Sequence, residues 1–208
     1  DFSWNLNSDH DVVFGWNAIY HRFSIGRFNA SNNNDIDFEA GTVYDAGEFG
    51  IYISDEWNIS PKVRLLSGIR LSGFYNDNTF YWRGESRLAL SDKASSVVSL
   101  KARYTRMYQY LHLISTSGAT LPTDVWYPSN SRIRPQSSDQ VSAGTSIAIG
   151  KDYFISFETY YKWMYDQIDF RDGAQLFLND NLDDEFIFGK GYSYGGELYL
   201  EKKNGWIR

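Results

Sequence analysis

Apolar and polar residues alternate with a period of two along most of this chain. In Val63 to Phe74, one face is mainly valine, leucine and isoleucine, while the other carries arginine, glycine and serine. Such alternation is typical of β-strands that have one apolar and one polar face, and hardly any helical periodicity competes with it. The pattern predicts nine strands: Phe2 to Leu6, Val12 to Phe23, Phe49 to Trp57, Val63 to Phe74, Thr79 to Leu90, Ser96 to Gln109, Val141 to Ile149, Tyr153 to Phe170 and Tyr192 to Lys202.

The connections between these strands alternate in length. Short turns are predicted at Asn7 to His10, Ser60 to Lys62, Asp92 to Ser95, Gly150 to Asp152 and Lys203 to Gly205, and longer loops at Ser24 to Gly47, Tyr75 to Asn78, Tyr110 to Asp139 and Arg171 to Gly191. Tight turns at one end and long loops at the other are typical of transmembrane barrels, and Tyr and Trp at the ends of the apolar faces fit a lipid-facing band. A β-sandwich also alternates, but its core is dry and needs no such aromatic ends.

Composition removes several classes of function. The net charge of −6 opposes nucleic-acid binding, and the absence of cysteine excludes disulfide scaffolds and cysteine-based zinc sites. The mean hydropathy of −0.46 is in the range of soluble proteins. This value does not exclude a membrane barrel, because only alternate residues of a spanning strand face lipid and the mean hydropathy of the strand is therefore low. We expect residues 1–208 to be a fragment of one all-β, antiparallel transmembrane barrel domain, about nine strands of a larger barrel.

Several segments resemble the barrel of the TonB-dependent outer-membrane receptors, in particular the Bacteroidetes type. They are GIYISDEWNISPKVRLLSGIRLS (50–72), GESRLAL (84–90), YQYLHLIS (108–115), LPTDVWYPS (121–129), IRPQSSDQVSAG (133–144) and GYSYGGELYLEKKNG (191–205). The resemblance implies a barrel of about 22 strands with a plug in its lumen, energised through TonB, that imports bulky nutrients across the bacterial outer membrane. Ser86 departs from the motif, which commonly has proline there.

The resemblance also implies partners. They are outer-membrane lipid, the plug domain of the parent chain, TonB through an N-terminal part and, at the mouth, a surface lipoprotein lid. We expect the plug and the closing C-terminal strands to lie outside this sequence.

The polar faces carry the first set of candidate site residues, which would face the lumen. One interpretation is a surface that holds the plug or guides an anionic substrate. The other is mutual pairing in a polar lumen, with Glu85 between Arg83 and Arg87. The set consists of Arg64, Arg70, Arg83, Glu85, Arg87, Lys101, Arg103, Glu158, Lys162 and Glu197.

The long loop after Gln109 holds the second set, Tyr110, His112, Trp126 and Tyr127, together with three of the four prolines. Proline and aromatic residues favour an ordered loop. This loop either forms an extracellular wall that touches substrate or a lid partner, or packs on itself over the barrel mouth.

The acidic run NDNLDDEF could bind Ca²⁺ through Asp180, Asp183, Asp184 and Glu185, but it lacks the EF-hand spacing and turn glycine, so a solvated loop is the preferred interpretation. We therefore expect no cofactor. No histidine has a partner at a catalytic or metal-binding spacing, which argues against an enzyme.

The expected function is nutrient import by an outer-membrane receptor. The alternatives are a receptor-like barrel that serves as a non-transporting subunit, and a soluble all-β binding module.

Overall fold

A computed structural model describes residues 1–32, 36–114, 125–174 and 182–203, with the side chains of all but 24–42, 114, 125 and 182. Nine strands form one antiparallel sheet, as predicted. In sheet order they are β1 (Phe2–Asn5), β2 (His10–Asn32), β3 (Ile36–Asn58), β4 (Val63–Asn76), β5 (Thr79–Asp92), β6 (Val98–Gln109), β9 (Gln136–Ile149), β10 (Tyr153–Phe170) and β11 (Phe186–Lys202). A separate hairpin, β7 (Leu111–Ile114) and β8 (Val125–Pro128), lies in the chain between β6 and β9.

The predicted loop at Ser24 to Gly47 is wrong, because β2 and β3 continue through it as one ladder from His10 opposite Trp57 to Asn32 opposite Ile36. Backbone hydrogen bonds sustain this ladder, and they do not require the alternation from which the strand ends were predicted. The strict alternation of connection lengths also fails, because β4 and β5 are joined by only Asp77 and Asn78. Both residues have positive φ (46° and 54°), as a tight hairpin turn requires.

One face of the sheet is apolar and largely exposed, and we call it the outer face. Its middle rows include Ile51, Ile69, Leu88, Leu100, Phe157 and Leu198, each at least 45% exposed. Aromatic side chains lie at both ends, with Trp57 and Tyr153 towards the short turns, and Phe49, Trp82, Trp163 and Tyr192 towards the other end. The ten residue steps from Tyr153 to Trp163 span about 33 Å along the strand, or about 25 Å in height at a 40° tilt, which matches a lipid-facing band.

The buried core lies on the opposite, polar face and near the long-loop end. One cluster consists of Ala46, Phe74 and Tyr110, and a second consists of Tyr127, Ile133 and Phe186. Both join the segments outside the sheet to the strands. Among the residues that the structure describes, no helix is long and apolar enough to cross a membrane.

Candidate functional site

The strand register brings all ten residues of the first predicted set onto the polar face. Residues directly opposite each other in a ladder point to the same side of a sheet. Arg70 lies opposite Glu85, and Ser91 lies between Arg64 and Lys101. In the ladder between β10 and β11, Glu158 lies opposite Glu197. The set therefore spans one continuous surface from β4 to β11.

Only two of these residues form ion pairs with described partners. Arg64 Nη1 lies 3.0 Å from Glu56 Oε1, and Arg70 Nη2 lies 3.7 Å from Glu48 Oε1. The partners come from β3, the strand next to β4. No described ion pair joins Glu85 to either neighbouring arginine, so the predicted mutual pairing through Glu85 is not observed.

Arg83 instead packs on aromatic rings. Its guanidinium carbon lies 5.2 Å from the centre of the Tyr81 ring and 5.8 Å from that of Tyr108, and its Nη1 donates to the Trp82 carbonyl at 2.9 Å. A guanidinium over an aromatic face is stabilised without being neutralised. Arg83 is thus held at the wall by aromatic rings and a backbone carbonyl.

A cationic patch follows on β5 and β6, made of Arg83, Arg87, Lys101 and Arg103. None of these four forms an ion pair with a carboxylate in the described part of the chain. Glu85, on the same strand as Arg83 and Arg87, is only 8% exposed. Charges of one sign that lie close together on a wet surface attract counter-ions. The patch can therefore hold an anionic group.

Two acidic residues of the predicted set lie on β10 and β11, and the Glu158 side chain is directed towards β9. Glu158 and Glu197 face each other in the ladder, an unfavourable arrangement for like charges. A Cβ on Gly144 would come within 2.8 Å of Glu158 Cγ, so Glu158 lies across that glycine on β9. It leans away from Glu197 and towards the row of Lys101.

A cavity of about 450 Å³ opens on β2 to β5, with Tyr52, Arg70, Glu85 and Arg87 among its lining residues. Gly50 makes this shape: a Cβ there would lie 2.6 Å from Arg70 Nη2 and 2.5 Å from Asn17 Oδ1. Without a side chain at residue 50, the guanidinium of Arg70 lies close to β3. Polar groups that converge in a concave pocket are typical of ligand sites.

Above the cavity, Tyr110 fixes the start of the long loop to β4. Its ring stacks on Phe74 with centroids 5.0 Å apart, and its Oη lies 2.7 Å from Ser72 Oγ. Tyr110 is only 4% exposed. The chain leaving β6 therefore turns onto the polar face rather than out into solvent.

Ser129 and Asn130 form a second attachment. The Asn76 side-chain amide donates to the Ser129 carbonyl at 2.9 Å, and the Tyr81 hydroxyl donates to the Asn130 carbonyl at 2.7 Å. His112 Nε2 lies 2.9 Å from Ser129 Oγ, which joins the two arms of the loop. Backbone carbonyls that would otherwise be buried without partners are thereby satisfied.

A third attachment joins the long loop to the 3₁₀ turn Leu182–Glu185. The Tyr127 hydroxyl donates to Asp183 Oδ1 and lies 3.0 Å from the Tyr44 hydroxyl. The Asn130 side-chain amide donates to Asp183 Oδ2 at 3.0 Å. Tyr127 also packs edge-on against Phe186, with centroids 5.0 Å apart. We call the three attached segments, residues 110–113, 126–135 and 183–186, the mouth cluster.

The described acidic residues of the NDNLDDEF run all accept hydrogen bonds from protein donors. Arg132 donates to Asp184 at 2.7 Å, and Arg171 donates to both oxygens of Glu185 at 2.7 and 2.8 Å. Asp180 lies outside the described residues. No group of three or more potential metal ligands occurs in the part of the chain that the structure describes. The expectation that this run holds no cation stays a prediction.

Burial shifts the pKa values of three side chains in the mouth cluster. It lowers the pKa of His112 to about 4 and raises the pKa of Tyr110 to about 12. Burial and the hydrogen bond to Asp183 also raise the pKa of Tyr127. At neutral pH the histidine is therefore uncharged and both tyrosines keep their protons.

Of the four predicted loop residues, three are buried in the mouth cluster and one is accessible. Tyr110, His112 and Tyr127 are at most 4% exposed, whereas Trp126 is 51% exposed. A direct role in binding stays a prediction for all four. Sequence reasoning missed Asn130, whose Oδ1 accepts from the backbone N–H groups of residues 132 and 133 at 2.9 Å. The SNSR context signals such a turn.

Comparison with protein families matches residues 1–206 to a family described as TonB dependent receptor-like, beta-barrel. Comparison with curated protein sequences gives no match. The fold is similar to those of several solved structures. The copper transporter OprC is 14% identical with a TM-score of 0.69, over 98% of this chain and 33% of its own.

Two further solved structures have a similar fold. The FrpB iron transporter from Neisseria meningitidis (F3-3 variant) is 11% identical with a TM-score of 0.65, over 98% of this chain and 32% of its own. The siderophore receptor PirA from Acinetobacter baumannii is 13% identical with a TM-score of 0.58, over 97% and 31%. The chain thus spans about a third of the length of these proteins. At these identities the likeness shows the fold alone.

Proposed function

Because the chain belongs to the TonB-dependent receptor-like β-barrel family, we propose that it forms part of the wall of a receptor that binds a bulky nutrient and imports it. Proteins of this family are outer-membrane barrels, so the outer face described above contacts lipid and the soluble-module alternative does not fit. Within that family, import depends on a plug in the lumen and on TonB, and we propose both as partners of this chain. The narrower Bacteroidetes-type resemblance remains a prediction.

The observation that carries the proposal is the arrangement of the mouth cluster above the cationic patch. The cluster holds the loop segments against β4 and β5, and Arg83, Arg87, Lys101 and Arg103 lie on the polar face below it. A fixed entrance above an uncompensated positive surface favours capture of an anionic cargo.

The nutrient class follows from this charge. The names of the structural neighbours refer to copper, iron and siderophores. An anionic metal chelate would suit the cationic patch. Acidic glycans and acidic peptides are also negatively charged and would suit it for the same reason. These three classes are the cargoes that we propose.

Uptake by cells that express the full-length protein tests the proposal. The probes are radiolabelled ferric citrate, an oligogalacturonate, an acidic peptide and neutral maltohexaose, each supplied with and without a protonophore that removes the energy source of TonB. We expect one anionic probe to accumulate only in energised cells. Replacement of Arg83, Arg87 and Arg103 by glutamine should reduce that uptake, whereas Arg64→Gln is the matched control, because Arg64 is already paired with Glu56.

A folded, membrane-inserted protein that accumulates none of the probes in an energy-dependent way would favour the non-transporting subunit instead. Equal loss of uptake in the triple variant and in Arg64→Gln would argue against a specific role for the cationic patch.

A further inference from the structure

The outer face of β9 to β11 contains a shallow groove of about 480 Å³. Its lining includes Val141, Ala143, Thr159, Tyr161 and Tyr194. Ala143 and Thr159 form its floor, and strand register continues this row of small residues to Ala102 on β6 and to Gly196 on β11. The rows on either side carry larger side chains, so the surface is indented here.

Large side chains form the two walls of the groove. Phe157 and Leu198 lie opposite each other on the short-turn side of the small-residue row. On the other side, the Tyr161 ring stacks on Tyr194 with centroids 6.2 Å apart and planes 9° from parallel. The Thr159 hydroxyl donates to the Gly195 carbonyl at 3.0 Å, which satisfies the main polar group of the floor. The groove is therefore apolar.

Charged side chains lie just beyond the tyrosine wall. Arg106 Nη1 is 3.3 Å from Asp139 Oδ2, and the Tyr104 hydroxyl donates to Asp139 Oδ1 at 2.8 Å, so these charges compensate each other. Strand alternation from Tyr192 places Lys190 on the same face. Lys190 forms no ion pair with any described residue, which leaves a positive charge at this level.

We propose that the groove binds an acyl chain of a phosphate-bearing lipid from the surrounding membrane, with the phosphate at the level of Lys190. The groove is continuous with the lipid-facing band, so lipid is the molecule already present there. Four residue steps separate Thr159 from Trp163, which corresponds to about 10 Å of height at a 40° tilt, close to the length of an acyl chain within one leaflet. This site is independent of transport.

Two physical terms distinguish this lipid from its neighbours in the bilayer. An acyl chain in a groove contacts protein on three sides, which increases dispersion contacts over those on a flat wall. A phosphate beside an unpaired ammonium gains a charge-assisted interaction at the membrane surface. Together they predict a retained lipid rather than an exchanging one.

The groove can be filled without disturbing the backbone. A Cβ on Gly196 would meet its nearest atom, in the Phe157 ring, at 3.6 Å, which is an ordinary contact. Gly84 lies on the same outer face of β5, opposite Leu71, and a Cβ there meets nothing within 4 Å. Gly196→Leu and Gly84→Leu are therefore a matched pair, in which only the first enters the groove.

The test is native mass spectrometry of the full-length protein. It is incubated in dodecyl maltoside with dioleoyl-phosphatidylglycerol or with uncharged dioleoylglycerol, washed, and released from the detergent. We expect the wild type and Gly84→Leu to retain one phosphatidylglycerol, and Gly196→Leu to retain about tenfold less. Lys190→Gln should reduce the preference for phosphatidylglycerol over dioleoylglycerol. Ala143→Leu fills the same groove from β9 and replaces Gly196→Leu if that variant does not fold.

Three results would overturn the proposal. One is equal retention by Gly196→Leu and the wild type, and another is equal loss in Gly84→Leu. The third is that the wild type carries a bound protein, rather than a lipid, and that Gly196→Leu loses this bound protein.

Discussion

Arginine at residue 157 tests the assignment of the outer face to lipid. Phe157 lies on β10, is 46% exposed in the isolated chain, and points to the outer face with Leu100 and Leu198. Ser156 is the preceding residue, so it lies at nearly the same depth but points to the polar face. Phe157→Arg and Ser156→Arg therefore place the same charge at one height on opposite sides of the wall.

The expected cost follows from depth. Phe157 is four residues from Tyr153 and six from Trp163, or about 10 Å and 15 Å in height from the two aromatic ends. It is therefore near the middle of the apolar band, where arginine costs about 3 kcal/mol and lowers the folding equilibrium constant about 150-fold. Ser156→Arg faces water and has Glu158 two residues away on the same side, so we expect it to cost less than about 1 kcal/mol.

The assay is reversible unfolding of the full-length protein from lipid vesicles by denaturant, followed by tryptophan fluorescence and by heat-dependent mobility on SDS gels. Phe157→Ala measures the loss of the ring alone and is subtracted from Phe157→Arg. Equal costs for the two arginine variants after this subtraction would refute the assigned facing of β10.

Three further predictions concern smaller features. Gly195→Ala should destabilise the barrel by about 1–3 kcal/mol, because the new methyl group lies 2.8 Å from a tyrosine ring on β10, whereas Gly196→Ala should be nearly neutral in the same unfolding assay. Tyr110→Phe removes the 2.7 Å hydrogen bond of the buried Ser72 hydroxyl and leaves its longer bond to the Arg83 carbonyl at 3.4 Å, so it should cost about 1 kcal/mol, and Ser72→Ala in the same background should restore part of that loss. Because burial lowers the pKa of His112 from 6.5 to about 4, only the unfolded loop takes up a proton between these values. The contribution of neutral His112 to the stability of the mouth cluster should thus be complete above pH 6.5 and should decrease towards pH 4 by up to about 3 kcal/mol. Hydrogen exchange, corrected for its intrinsic pH dependence, measures this decrease. His112→Asn should remove most of it.

The sequence predicts the sheet well because the environment of each strand is encoded locally. Alternation in Val63 to Phe74 predicts which side chains lie on the apolar outer face, and this requires no knowledge of the neighbouring strand. The extensions of β2 and β3 past Phe23 and before Phe49 could not be found in this way. A ladder that extends beyond the membrane needs no apolar face, so only its backbone hydrogen bonds define it.

The mouth cluster is harder to predict because its contacts are distant in sequence. The Phe74 ring comes from β4 and the Tyr110 ring from the loop after β6, and Asn130 bonds to Asp183 across 53 residues. Composition indicates that the loop is ordered, since it is rich in proline and aromatic residues. It does not show that Tyr110, His112 and Tyr127 are used for packing, whereas Trp126 is left exposed.

The ladder between β5 and β6 explains why the loop packs inward. It ends at Arg87 opposite Thr105, although β5 continues back to Thr79 and β6 continues to Gln109. Beyond that point, side chains close the wall, because Arg83 from β5 and Arg106 from β6 both lie over the Tyr108 ring.

The mouth cluster then covers this seam from the polar side through its bonds to Ser72, Asn76 and Tyr81. Three such bonds together contribute about 3 kcal/mol, so displacement of the loop would occur in fewer than about one molecule in a hundred. The segments of the mouth cluster are therefore a fixed part of the wall rather than a lid. In the import function that we propose, selection of a cargo would then depend on groups that are already accessible, such as Trp126 at the rim and the cationic patch below it, and on movement of the proposed plug rather than of these segments.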